Sequence, residues 1–137
     1  MVKVGDKFVE RFHVSKLVYE GFISVFGDYH QLHTDAEYAV ARGFQSKVMH
    51  GNILCGFLSY FVGMCLPISE VIILSQEIKF RRPVYLNDEL VLEVVVQDVH
   101  DSVNVVEIVC KFRNLVDKMI VASAKLSLGI TSDQKEI

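Results

Sequence analysis

His50-Gly51-Asn52-Ile53-Leu54-Cys55-Gly56-Phe57-Leu58-Ser59-Tyr60-Phe61-Val62-Gly63-Met64-Cys65-Leu66-Pro67 is the most apolar run of the chain. Its apolar residues recur on almost every side of a 3.6-residue repeat, which predicts a helix over residues 51–66 that is surrounded by protein. Ile53, Leu54, Phe57, Leu58, Phe61 and Val62 are its expected core contacts. Pro67 ends it, because proline lacks the N–H that would continue the ladder. The run is shorter than the ~20 apolar residues that span a bilayer, and Gly56, Ser59 and Gly63 interrupt it. It reads as a buried helix.

Downstream of Pro67 the period changes to two. Residues 71–80 read as a strand, and Pro83 and Asn87-Asp88 turn the chain into a second strand over 89–99 with Leu90, Leu92, Val94 and Val96 on one face. Asp101-Ser102 leads into 103–113, with Val106, Ile108, Cys110 and Phe112 inward and Glu107, Lys111 and Arg113 outward. Residues 114–118 turn again into 119–128, where Ile120, Ala122, Ala124 and Leu126 share a face.

Upstream, residues 7–14 read as a first strand and Ser15 as a helix cap. Over residues 16–26, Leu17, Phe22, Ile23, Val25 and Phe26 recur at helical spacing until Gly27. Thr34 or Asp35 opens a short helix through Ala41, closed by Gly43, which leaves residues 27–33 as a polar loop. Loops of this kind carry function more often than core elements do. The order is strand, helices, one buried helix and an antiparallel meander. Helices and strands are segregated along the chain, so the class is α+β, and a sheet wrapped around one helix is the hot-dog arrangement.

At 137 residues the chain has room for one domain, taken as residues 1–137 with a frayed tail from 130, and 51% apolar residues suffice for a core without staples. A formal net charge of −3 gives no general attraction to nucleic acid or to an anionic membrane, and neither partner is expected. Cys55, Cys65 and Cys110 are odd in number, far apart and set among apolar residues. They read as buried reduced thiols rather than a disulfide framework, with a reactive thiol as the alternative. The first twelve residues, MVKVGDKFVERF, alternate and carry charge throughout, unlike a signal peptide. The expected location is cytoplasmic.

Three features bear on chemistry. Asp28 and His33 sit five positions apart in one loop, His50-Gly51 opens the buried helix, and Ser59 lies two turns further along it. An Asp and a His facing one pocket can hold a water and divide its proton transfers between them. A helix start offers unpaired N–H groups and a positive dipole end to a carbonyl that is gaining charge. Glycine there leaves room for close backbone approach to a ligand. Each signal also has an ordinary reading: Asp as a turn residue, His as surface or core, and Ser bonded back to the preceding helical turn. Asp28, His30 and His33 are ligand types for a metal, but no fourth ligand is evident and His50 fits no better, so none is expected.

Phe26-Gly27-Asp28-Tyr29-His30-Gln31-Leu32-His33-Thr34-Asp35 resembles the Gly-Asp-x-Asn-Pro-aliphatic-His motif of the MaoC-like, (R)-specific enoyl-CoA hydratase family. Residues 43–51, ending His50-Gly51, resemble its second signature, and residues 80–90, beginning Phe80-Arg81-Arg82-Pro83-Val84, resemble the strand after the helix. The resemblance implies a hot-dog fold and a hydro-lyase of fatty acid metabolism that adds water to, or removes it from, an enoyl or 3-hydroxyacyl thioester. It implies that Asp28 and His33 activate the water, that the Gly51 N–H binds the thioester carbonyl, and that Ser59 supports the pair. No cofactor is implied, since CoA or acyl carrier is part of the substrate, and a homodimer or higher homo-oligomer is. His30-Gln31 stands in place of the usual Asn-Pro, with His30 either a replacement brace or an added substrate contact. Two other readings are a hot-dog acyl-CoA thioesterase, which normally needs a carboxylate near the central helix, and a non-catalytic acyl-CoA-binding module. Between His50 and Leu66 there is no Asp or Glu.

Overall fold

The computed structural model describes residues 2–131. Its elements are β1 (Lys7–His13), α1 (Lys16–Phe26), α2 (Gln31–Thr34), α3 (Ala36–Ala41), α4 (Asn52–Tyr60), β2 (Val71–Phe80), β3 (Glu89–His100), β4 (Val105–Asn114) and β5 (Ile120–Ile130). A π-helical turn, Phe61–Cys65, extends α4. The polar stretch over 27–33 is therefore not all loop, because its second half is wound into α2. The tail beyond residue 131 lies outside the described residues. Ile130 belongs to β5, and the Thr131 N–H donates to the Glu70 carbonyl at 3.0 Å.

The five strands form one antiparallel sheet in the order β1-β3-β4-β5-β2. β3, β4 and β5 follow one another as a meander, whereas β2 crosses to the far edge and pairs with β5. The period-two pattern gives the sheet its apolar face: Leu90, Leu92, Val94 and Val96 on β3, Val106, Ile108, Cys110 and Phe112 on β4, and Ala122, Ala124, Leu126 and Leu128 on β5 are all buried. Asn87 holds the turn into β3 at φ 71°, a left-handed conformation that Asn tolerates better than most residues. Its N–H donates to the Val14 carbonyl at 2.7 Å and ties the end of β1 to that turn.

Ile53, Leu54, Leu58, Phe61 and Val62 are buried with that sheet face in a single core cluster, and Phe57 packs half-buried against it. One helix on one antiparallel sheet is the α+β hot-dog arrangement the pattern predicted. The expectation that protein surrounds this helix needs correction. Asn52, Gly56, Ser59, Tyr60, Gly63 and Met64 form an exposed stripe in the single chain. Tyr60 and Met64 extend the apolar pattern around the helix, yet in the single chain they are not covered. α1 is likewise less buried than its pattern suggested: Tyr19 and Ile23 are buried, while Leu17, Val25 and Phe26 are exposed.

Of the cysteines only Cys110 is buried, and burial pushes its thiol up to about 12. Cys55 and Cys65 are half-exposed, contrary to the expectation that all three are core thiols. No helix among the described residues is long and apolar enough to cross a membrane.

Leu58 has no exposed surface, and Leu58→Ala should lower the unfolding free energy by about 3 kcal/mol, read from the urea midpoint. Met64→Ala on the open stripe should change it by less than about 1 kcal/mol. In native protein Cys110 should resist a thiol reagent that reaches Cys55 and Cys65, and it should react on unfolding.

Candidate active site

The site begins where α1 stops. Gly27, at φ 71°, donates its N–H to the Ile23 carbonyl at 2.9 Å, a left-handed cap that turns the chain sharply and that glycine adopts without steric cost. Asp28 follows, and its Oδ1 accepts the His30 N–H at 3.2 Å, the side-chain turn that Asp commonly makes. His30 is the N-cap of α2, its Nδ1 accepting the Leu32 N–H at 3.1 Å. It thus braces the loop in the position the motif gives to Asn. His33 falls in the last turn of α2.

Two further contacts hold His33. The Tyr19 hydroxyl donates to its main-chain carbonyl at 2.7 Å, and its Nδ1 bonds the Val48 carbonyl at 2.7 Å. A carbonyl only accepts, so the hydrogen of a neutral His33 sits on Nδ1 and the lone pair on Nε2. Nε2 faces the Asp28 carboxylate, 3.8 Å from Oδ2. That gap is too long for a direct hydrogen bond, yet one water with legs of roughly 2.8 Å can bond both atoms. The Asp28 side chain is half-exposed and that of His33 largely buried.

His50, just ahead of α4, completes the group. Its Nε2 lies 2.9 Å from the Asp28 main-chain oxygen and 3.9 Å from Oδ2, and its ring stacks on that of His33 with centroids 3.9 Å apart and planes at 29°. Asp28, His33 and His50 can each offer an atom to one ion within 4.8 Å of the others. The His50 Nε2, however, faces a carbonyl, which only accepts, so that nitrogen carries a hydrogen and offers an ion no lone pair. The arrangement suits proton transfer better than metal binding.

Gly51 is the N-cap residue of α4, and neither its N–H nor that of Asn52 donates to another described residue, as expected at a helix start. A Cβ on Gly51 would come within 3.0 Å of the Phe80 ring, so close packing against β2 limits this position before any ligand arrives. Asp28 lines an apolar cavity of about 800 Å³ between α1 and α4, with Leu17, Phe22, Phe26 and Gly56. His33 and Gly51 line another of about 450 Å³ together with Phe80, Arg81 and Arg82, and Asn52 lines both. Ser59 is not part of this group: it is exposed on the open side of α4 and makes no hydrogen bond to Asp28 or His33. Lys47 lies over the Tyr19 ring, its Nζ 4.8 Å from the centroid.

Of the residues marked by the motif, Asp28 and His33 approach to 3.8 Å, and His33 and Gly51 line one cavity. The contacts of His50 and Tyr19 were not legible in the sequence. The only available signal for His50 was its place beside Gly51, and for Tyr19 there was none, because a residue of α1 and a carbonyl of α2 fourteen positions apart leave no pattern.

Residues 3–117 match the family model described as the MaoC like domain. Among curated proteins, the (R)-specific enoyl-CoA hydratase of Aeromonas caviae is 30% identical over 95 residues, covering 68% of this chain and 69% of that protein. The mitochondrial 3-hydroxyacyl-[acyl-carrier-protein] dehydratase of Arabidopsis thaliana is 30% identical over 90 residues, and the match spans only 53% of its length. Among solved structures, the unliganded R-hydratase of Pseudomonas aeruginosa is 26% identical with a TM-score of 0.84, covering 94% of this chain and 82% of that one.

His30→Ala removes the cap of α2 and should cost about 1 kcal/mol, while His30→Asn, which restores a side-chain acceptor, should recover most of it in the same thermal unfolding series.

Proposed function

The chain belongs to the MaoC-like domain family, and from that premise we propose that it is a hydro-lyase acting on an enoyl or 3-hydroxyacyl thioester. The observation that supports this reading best is the 3.8 Å approach of the His33 Nε2 to the Asp28 Oδ2, beside the free N–H groups that open α4. In the hydration direction a water held between the two atoms gives one proton to the pair, and its oxygen bonds to C3 of the enoyl chain. The electron pair of the double bond moves toward the thioester oxygen, where the Gly51 N–H and the α4 dipole stabilise the enolate charge. The pair then returns one proton to C2, so it ends with as many protons as it began with. Dehydration is the reverse. No cofactor is needed, because the carrier thioester supplies the acidity at C2.

The two cavities separate the ends of such a substrate. The apolar cavity beside Asp28 suits the acyl chain, and the one holding His33, Arg81 and Arg82 suits the polar carrier arm. A second copy of the chain is part of this reading. β2 is a ten-residue edge strand with Ile72 and Leu74 exposed, the kind of edge proteins cover by pairing. Pairing there would also bring protein toward the open stripe of α4 and Ser59.

Hydration of a panel of trans-2-enoyl-CoAs, followed by loss of the enoyl absorbance, tests the activity. Asp28→Asn and His33→Ala should each lower the rate by roughly 10²–10⁴-fold, and the double variant should be little worse than either, as residues acting together are not additive. Ser59→Ala should cost far less. An Asp28→Asn rate within about threefold of wild type, well inside the loss expected of a general base, would remove the mechanism. By sedimentation the chain should be at least a dimer at micromolar concentration, and replacing Ile72 and Leu74 with Lys should dissociate it.

A further inference from the structure

His50 is the one buried polar or charged side chain among the described residues, and its Nδ1 is a buried nitrogen with no hydrogen-bond partner. Burying an imidazole and leaving one nitrogen unmet is unfavourable, and Leu or Phe would fill the same space without that penalty. The remaining polar function of the ring is therefore informative. Its Nε2 lies 2.9 Å from the Asp28 main-chain carbonyl, which can only accept, so the ring carries a hydrogen on Nε2 and donates it there. One ring face lies against His33, with Phe22 at 4.7 Å and Tyr19 at 6.1 Å packed around it. The next residue in the chain is Gly51.

We propose that His50 is the positioning residue of the site. Its N–H pins the main chain of Asp28, its ring backs that of His33, and its place in the chain fixes both relative to the Gly51 amide. The three groups assigned to the reaction come from the turn after α1, from α2 and from the start of α4, which lies eighteen to twenty-three residues further along the chain. Apart from the Val48 contacts to α2, the His50 contacts are what join loop to helix start at the reacting atoms. His50 does not itself exchange a proton with substrate, since its donor is occupied and its acceptor is enclosed. The role in catalysis rests on the proposed hydro-lyase reading, while the mechanical role does not.

Two substitutions separate the contacts. His50→Phe keeps a flat ring against His33 and removes the donor, whereas His50→Gln restores an N–H within reach of the Asp28 carbonyl. Amide hydrogen exchange reports the loop without reference to any reaction. In His50→Phe the Leu32 and His33 amides should exchange about tenfold faster, the loss of roughly one hydrogen bond, while those of Ile108 and Cys110 in the sheet stay within about twofold. In His50→Gln the loop should stay within about threefold of wild type. With an enoyl thioester, His50→Phe should lower kcat by about tenfold or more at a KM within about threefold, and His50→Gln should recover most of it. The proposal is overturned by an unchanged loop in His50→Phe, by loop and sheet amides accelerating together, or by a kcat that survives a loosened loop. If His50→Phe does not fold, His50→Gln decides alone: a protected loop supports the proposal and a loosened one overturns it. If no enoyl thioester is turned over, the proposed reaction falls while the exchange result still decides what His50 does.

Discussion

Everything at the site depends on the burial of α4 against the sheet. A loop can be registered against a helix start to within a few tenths of an ångström only if the helix cannot slide. Leu54, Leu58 and Phe61 supply that immobility, because all three are almost wholly enclosed with the inward residues of β3, β4 and β5. Interiors packed to crystal-like density resist small displacements. The polar business at residues 50–52 therefore rests on apolar contacts one to three turns away, with which it shares no atom.

The fold was readable because its decisive feature is a change of period. A run apolar on most sides followed by strict alternation leaves few architectures open, and the alternation assigned the inward residues of β3 and β4 correctly down to Cys110 and Phe112, with Ala122, Ala124 and Leu126 of β5. Ile120, beside a register shift, is only half-buried. Coverage was less readable. Hydropathy reports what a residue tolerates, not what is available to bury it, so Tyr60, Met64, Leu17 and Phe26 looked like core and are exposed. The winding of Gln31–Thr34 into α2 was hidden because its cap is a histidine, a residue that ordinary capping preferences do not flag.

Of the site, the members carried by a local motif were legible and the members carried by tertiary contact were not. Asp28, His33 and Gly51 stand at spacings that a resemblance could transfer. The hydrogen bonds from Tyr19 and to Val48, and the stack of His50 on His33, join residues of different elements separated by fourteen to seventeen positions, which no periodicity encodes. Ser59 illustrates the converse. Its spacing along the helix is regular, but in the single chain its side chain is exposed on the open side of α4 and makes no hydrogen bond to the pair it was expected to serve.

The contact between Gly51 and Phe80 has a consequence of a different sort. Phe80 ends an edge strand and is 51% exposed, so its ring has room to swing, yet the absent Cβ of Gly51 is what permits its present position. The allowed residues at 51 and 80 are therefore not independent. A larger side chain at 51 is tolerable only with a smaller or displaced one at 80, and that displacement would be felt in the cavity both residues line. Drift of the sequence at the rim of the sheet is in this way constrained by the first turn of the central helix, although Gly51 and Phe80 are twenty-nine positions apart in the chain and belong to different layers of the fold.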